Sequence, residues 1–323
     1  MRTNACLATL LACAACASSG SPIDAPPTVA TDETPSVLQR QVHAVVERVA
    51  SRHDRARVGV LVLDPRDGRV VATAGSGPLG DDEPLRRAPT GSTFKAVTLA
   101  AALGAGLDPS QAFDGTACCG VRDAHPRARL DPRTTIVHSS NVGTARIVEA
   151  VGADPIVAMV ESLAWNEAFH LHGRHADAAL VPHDDPERHA RFASGIGTEA
   201  TLLHLASAYG AIANGGEWIE PTTRGDGARR CVMDSQVSAT LLGFLEDAVR
   251  EGTGQRARVE GVRVAGKTGT VPSGDATYSL FVGVAPVEAP TRVIAVRVEA
   301  TGDHHGGSAA APVFAELWPH VAP

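Results

Sequence analysis

Apolar residues recur at helical spacing at Leu38, Val42, Val45 and Val49, which predicts an amphipathic helix running to about residue 52. The pattern then changes to short apolar runs: "VGVLVLD" and "RVVATAG" read as two strands joined by "PRDG", a turn with the glycine that hairpins favour. From Ser92 to about Gly215 the chain reads as mostly helical. "STFKAVTLAAALGAG", "NVGTARIVEAVG" and "TLLHLASAYGAIANGG" are three helical segments, each stopped by glycine. The last third returns to strands in "GVRVAGKTGT", "YSLFVGVA" and "TRVIAVRVEA". In the last of these Ile294, Val296 and Val298 point one way, and Arg297 and Glu299 the other. "SAAAPVFAELW" closes the chain as a helix.

Two strands precede the helical block, three follow it, and none alternates with a helix in the βαβ manner. The simplest assembly is an α+β fold: one five-stranded, mainly antiparallel sheet with the first and last helices on one face and the helical block inserted as an all-α lobe. The sheet lobe would span about 37–91 and 216–323 and the helical lobe about 92–215, with a ligand site where they meet. Residues 17–36 are rich in Pro, Ser and Thr without periodicity and read as a tether. Residues 1–16 have an early arginine, a short apolar run and small residues, as in a secretory signal. Cys16, with Cys13 as the alternative, stands where a lipoprotein signal places its lipidated cysteine. The expectation is an exported chain anchored to a membrane by lipid.

Composition narrows the classes. Hydrophobic residues make up 44% and charged residues 20%, as in a globular protein, and the formal charge of −7 supplies no basic face for nucleic acid. Beyond the signal three cysteines remain, Cys118, Cys119 and Cys231. An odd count permits one disulfide, Cys231 to one of the adjacent pair, or none.

Lysine is confined to two places. Of 29 basic residues only Lys95 and Lys267 are lysines. Lys95 follows Ser92 by three positions at the start of a helical pattern, so the two side chains share a face. Serine becomes a nucleophile when a neighbouring base takes its proton, and free N–H groups at a helix start help an oxyanion form. Arginine cannot surrender its proton, whereas a desolvated lysine becomes neutral near pH 7. That restriction accounts for lysine at position 95. Ser-x-x-Lys alone is weak evidence, because an N-capping serine and a solvated lysine give the same pattern. Two later motifs strengthen it: "HSSNVG", with Ser139 and Asn141, and "GKTGT", with Lys267, Thr268, Gly269 and Thr270. The three occur together, in this order, in serine β-lactamases and penicillin-binding proteins.

The chain resembles the transpeptidase domain of class B penicillin-binding proteins. "GSTFKAVTLAAAL", "HSSNVG", "YGAIANGG", "EGTGQRARVEGVRVAGKTGT", "FVGVAP" and "GGSAAAPVF" carry the resemblance over about residues 57–316. It implies that Ser92 is acylated, Lys95 activates it, Ser139 relays a proton to the leaving group and Asn141 orients Lys95 and the substrate amide. It further implies that Lys267 and Thr268 hold the substrate carboxylate, that Gly269 and Thr270 lie along the substrate, and that the backbone N–H groups of Ser92 and Thr270 form the oxyanion hole. The implied partners are D-Ala-D-Ala stem peptides of peptidoglycan and β-lactams, with no cofactor. The chain departs from the family at Thr90, where proline is common. It also departs in the module before the domain, which is replaced by a tether and one helix. Five histidines, at 170, 172, 175, 183 and 189, together with His304 and His305, match no metal-ligand pattern and read as solvated. A serine β-lactamase and a non-catalytic β-lactam sensor or cell-wall scaffold are the rival readings.

Overall fold

The computed structural model describes residues 36–53, 56–171, 173–182, 188–302 and 304–323. The signal at 1–16, Cys13, Cys16, nearly all of the tether, His172 and His183 lie outside the described residues. Val37–Pro323 form one compact unit.

The five-stranded sheet is present and antiparallel throughout. Its strands are β1 (Arg57–Asp64), β2 (Arg69–Gly75), β3 (Ala265–Ser273), β4 (Ala276–Ala285) and β5 (Arg292–Thr301), arranged β3-β4-β5-β1-β2. The order places β3, with its Lys-Thr-Gly-Thr, on an edge. β1 is covered on both faces, so its apolar run is almost continuous; from Val58 onward all of it is buried.

Side-chain alternation splits the sheet into two faces. Val58, Val60, Val62, Ile294, Val296 and Val298 meet helix α1 (Val37–Ala50) and the C-terminal helix Ala311–Val321. Val42, Val45, Val46, Val49, Phe314 and Leu317 come from those helices, so the predicted first helix buries the stripe that its spacing defines. Leu61, Leu63, Leu280, Val282, Val293 and Ala295 face the other way, into the helical half. There lie α2 (Lys95–Gly104), α3 (Pro132–Val137), α4 (Asn141–Val151), α5 (Asp154–Ser162), α6 (His189–Ala193), α7 (Leu202–Ala213) and α8 (Ser235–Arg250), of which α7 and α8 pack directly on the sheet.

Two local features differ from the sequence reading and a third goes beyond it. Ser92 sits in a 3-10 turn, Gly91–Phe94, and the α-helix proper starts at Lys95. Helix α8 occupies a stretch that the strand-rich reading passed over; Asp234 caps it by accepting from the Gln236 N–H at 2.7 Å. Arg297 does point opposite to Val296, but into the protein and not into water. It is 1% exposed, donates to the main-chain oxygens of Glu83 and Arg86, and lies 3.2 Å from the Glu83 carboxylate, itself fully buried. A polar residue on a strand marks a second face; whether that face is wet depends on what packs there.

Candidate active site

The Gly91–Phe94 turn lies against strand β3. Gly91 has a φ of 49°, and a Cβ on it would come within 2.7 Å of Val271 Cγ2, so glycine satisfies both the backbone and the contact. The turn is tied from behind. Tyr209 donates its hydroxyl to Thr93 O at 2.9 Å, and the Thr93 hydroxyl donates to Thr90 O at 2.6 Å. Thr90 donates its N–H to Thr198 O at 2.9 Å, a bond that the proline common at this position lacks the hydrogen to make.

One helical turn on, Lys95 is completely buried. Its Nζ lies 3.1 Å from Ser92 Oγ, 2.7 Å from the carbonyl oxygen of Ser139 and 2.7 Å from Asn141 Oδ1. Burial pulls its pKa down to about 7, opposed in part by the Asp123 carboxylate. A neutral amine has two N–H donors and one lone pair. Here two partners are carbonyl oxygens that only accept, and the third is a hydroxyl that can donate. The three oxygens serve the ammonium as three acceptors, and on losing its proton the amine keeps two donors for the carbonyls and has a lone pair for the Ser92 hydroxyl.

Ser139 and Asn141 enter from the other side, at the start of α4. The Asp123 carboxylate accepts from Asn141 N–H at 2.6 Å, Val142 N–H at 3.2 Å and Ser140 Oγ at 2.5 Å. It thus occupies the positive end of the helix. Asn141 Nδ2 donates to Arg122 O at 3.3 Å, which leaves Oδ1 facing Lys95. Ser139 has a φ of 58°, in the left-handed region that a non-glycine residue seldom adopts. With that backbone it offers its carbonyl to Lys95 while its hydroxyl accepts from Lys267 Nζ at 2.9 Å.

Lys267 is also fully buried, donates to Thr268 O at 3.0 Å, and is held well below the usual lysine range by burial first and then by the charge of Lys95. Thr268 Oγ1 lies 2.7 Å from Thr253 Oγ1. Thr270 Oγ1 accepts from Gly306 N–H at 3.0 Å. A cavity of about 580 Å³ opens over these groups, lined by Ser92, Ser139, Thr253, Thr268, Thr270 and Arg256, with Gln255, His305, Gly307 and Ser308 at its side. Ser92, Ser139, Thr268 and Thr270 thus line one opening, Lys95, Asn141 and Lys267 are hydrogen-bonded behind them, and Gly269 packs against Thr90 and Thr93.

The match to a known family decides what this arrangement belongs to. The family model described as the penicillin binding protein transpeptidase domain matches residues 58–318. The chain belongs to that family. Among the transpeptidase-domain relatives, PbpB, a penicillin-binding protein of Mycolicibacterium smegmatis, is 27% identical over 87% of this chain and 52% of its own. PbpC of Pseudomonas aeruginosa, described as a probable peptidoglycan D,D-transpeptidase, is 26% identical over 87% of this chain and 56% of its own. The chain spans about half the length of these curated relatives. The solved transpeptidase domain of penicillin-binding protein 3 from Burkholderia pseudomallei shares the fold, with a TM-score of 0.80 at 24% identity over 88% of this chain and 92% of that one. The class B resemblance and the expected sheet-and-helix architecture therefore stand.

Sequence reasoning did not single out Asp123, Thr253 or Arg256. Asp123 stands 18 positions before Asn141, and no local spacing links them. Thr253 and Arg256 were in view within "EGTGQRARVEG" but had no assigned part. Among the described residues neither Cys118 nor Cys119 is disulfide-bonded to Cys231, so the conditional Cys231 disulfide is not formed. His170 and His175 face each other across a small hairpin with ring centroids 4.9 Å apart, and His305 lies at the cavity.

Proposed function

We propose that this domain is a serine acyltransferase acting on D-Ala-D-Ala stem peptides of peptidoglycan. The observation that carries the reading is Lys95: a fully buried amine, pulled to about 7, placed 3.1 Å from Ser92 Oγ. Neutral Lys95 takes the Ser92 proton as Oγ attacks the carbonyl carbon of the penultimate D-Ala. The backbone N–H groups of Ser92 and Thr270 receive the oxyanion. As the C–N bond breaks, the departing D-Ala amine receives a proton through Ser139, leaving an ester on Ser92. An acceptor amine, or water, then attacks the ester and restores the serine.

Recognition follows from the opposite wall. Thr268 sets a hydroxyl where the terminal carboxylate of D-Ala-D-Ala or a β-lactam would lie, and Lys267 stands behind it with an amine that a bound carboxylate would draw toward its charged form. The edge strand β3, with Gly269 and Thr270, offers backbone groups to an extended peptide. Arg256 adds cationic character to the same cavity. The substrate places the work outside the cytoplasm, with the chain exported and held to a membrane by lipid on Cys16, or on Cys13.

The test is intact mass after exposure to penicillin, followed over time. One covalent adduct per chain that persists, and that disappears in Ser92→Ala, supports the reading. Rapid repeated turnover of nitrocefin overturns it in favour of a β-lactamase. Cell-wall binding with no adduct overturns it in favour of a scaffold.

A further inference from the structure

On the outer side of α4, away from the cavity, a second group of chemically potent side chains comes together. Cys118 Sγ, Cys119 Sγ and a Glu149 carboxylate oxygen all lie within 4.8 Å of one another, and among the described residues no other set of three ligating groups does so. Cys119 Sγ is 3.0 Å from Glu149 Oε1. We propose that Cys118, Cys119 and Glu149 form a site for a thiophilic divalent cation of the zinc type.

The backbone is arranged for it. Adjacent residues in extended chain point to opposite sides. Here Cys119 has a φ of 56° and Gly120 one of 69°, the pair of positive values found in a type I′ turn, closed by Val121 N–H donating to Cys118 O at 2.9 Å. Asparagine or aspartate usually fills the first of those positions, and a cysteine there accepts strain that nothing else in the turn repays. The result is two neighbouring thiols on one side of the turn, facing a carboxylate on a rigid helix.

The ligand set fits the metal. Two sulfurs bound tetrahedrally to zinc at about 2.3 Å sit roughly 3.8 Å apart, so the cluster needs only a small closure. Thiolates select zinc-like cations over calcium or magnesium, and the fourth position remains for water. An ordinary disulfide spans Cα atoms about 4.4–6.8 Å apart, whereas adjacent residues are about 3.8 Å apart, so the pair suits a shared ion better than a mutual bond. The surroundings complete the site. Cys118 packs on Val121, Ala145 and Ala190, which fixes one sulfur. Arg146 donates to the other oxygen of Glu149 at 2.8 Å, orienting the carboxylate and balancing the negative charge left when two thiolates and a carboxylate hold a divalent ion. Because Asp123 follows the turn by two residues, the ion would brace the segment that caps α4.

The experiment uses the full chain, reduced, freed of metal by chelation, and titrated with Zn²⁺ and Co²⁺. One equivalent binding with a Kd below about 1 μM, and a thiolate-to-cobalt charge-transfer band, are expected. Cys118→Ser with Cys119→Ser should weaken binding at least about 100-fold and Glu149→Gln about tenfold, while Cys231→Ser binds as before. Retained labelling by fluorescent penicillin reports that each variant is folded. Absence of stoichiometric binding, or binding unchanged in the double cysteine variant, overturns the proposal. So does a Cys118–Cys119 disulfide in protein isolated without reductant.

Discussion

The Asp123 carboxylate accepts the backbone N–H of Asn141 at 2.6 Å, and Asn141 in turn accepts from Lys95 at 2.7 Å. A residue with no contact to the cavity thereby sets the position of one that meets the buried amine. Asp123 also raises the pKa of Lys95, against the effect of burial.

Asp123→Asn should therefore do two separable things. Losing a charge-assisted cap should lower stability by about 1–3 kcal/mol. Losing the nearby negative charge should move the pH dependence of penicillin acylation to lower pH, since the ammonium is less stabilised. A stopped-flow pH profile reads the second effect, which mere loosening of the fold would not produce.

In the proposed mechanism Lys95 makes acylation pH-dependent. The rate should rise as pH passes about 7 and the amine sheds its proton. Lys95→Arg, which keeps charge and cannot shed it, should reduce acylation by at least about 1,000-fold.

The same burial sets a stability trend. The folded pKa of Lys95 is about 7 against 10.5 for a free lysine, so between those values the unfolded chain binds the extra proton. Stability should rise with pH across that window and carry its full penalty below it. Denaturant midpoints at pH 6 and 9 should differ less in Lys95→Met than in the parent, by comparison of the two proteins alone.

Gly195 backs the turn that carries Ser92. It has a φ of 82°, and a Cβ there would fall 1.9 Å from the carbonyl oxygen of Gly91. Gly195→Ala should cost about 1–3 kcal/mol and slow acylation, because the turn carrying Ser92 must move. A thermal melt together with penicillin labelling checks both.

Arg297 and Glu83 are buried together, with Arg297 pulled down to about 10 by burial first and then by Arg86. Arg297→Met should cost at most about 3–5 kcal/mol, because it removes one of the two guanidinium groups that meet buried Glu83 and leaves only Arg86, and adding Glu83→Gln should recover part of it. A double-mutant cycle of urea midpoints measures the coupling.

The sheet and its end helices were readable because their apolar residues repeat with the period of the element that buries them, as Val42, Val45 and Val49 do. Lys95 and Lys267 were readable because their chemistry excludes arginine at one site and their motifs fix the spacing. The surroundings of Arg297 were not readable, because alternation reports which side a residue takes, and not what covers that side. Helix α8 was passed over although Leu241, Leu245 and Val249 carry its period, since strands on its C-terminal side dominated the reading. Asp123 was invisible for another reason: its partners come from a helix start 17–19 residues away in sequence, and only folding brings them together.

Complete enclosure of Lys95 has a kinetic meaning. In the proposed mechanism an amine shut off from bulk water trades its hydrogen with the hydroxyl next to it, so the particle lifted from Ser92 would stay inside the protein until chemistry calls for it. Buffer catalysis should then be feeble, and the solvent isotope effect should report on an internal hand-over that no external acid can shortcut.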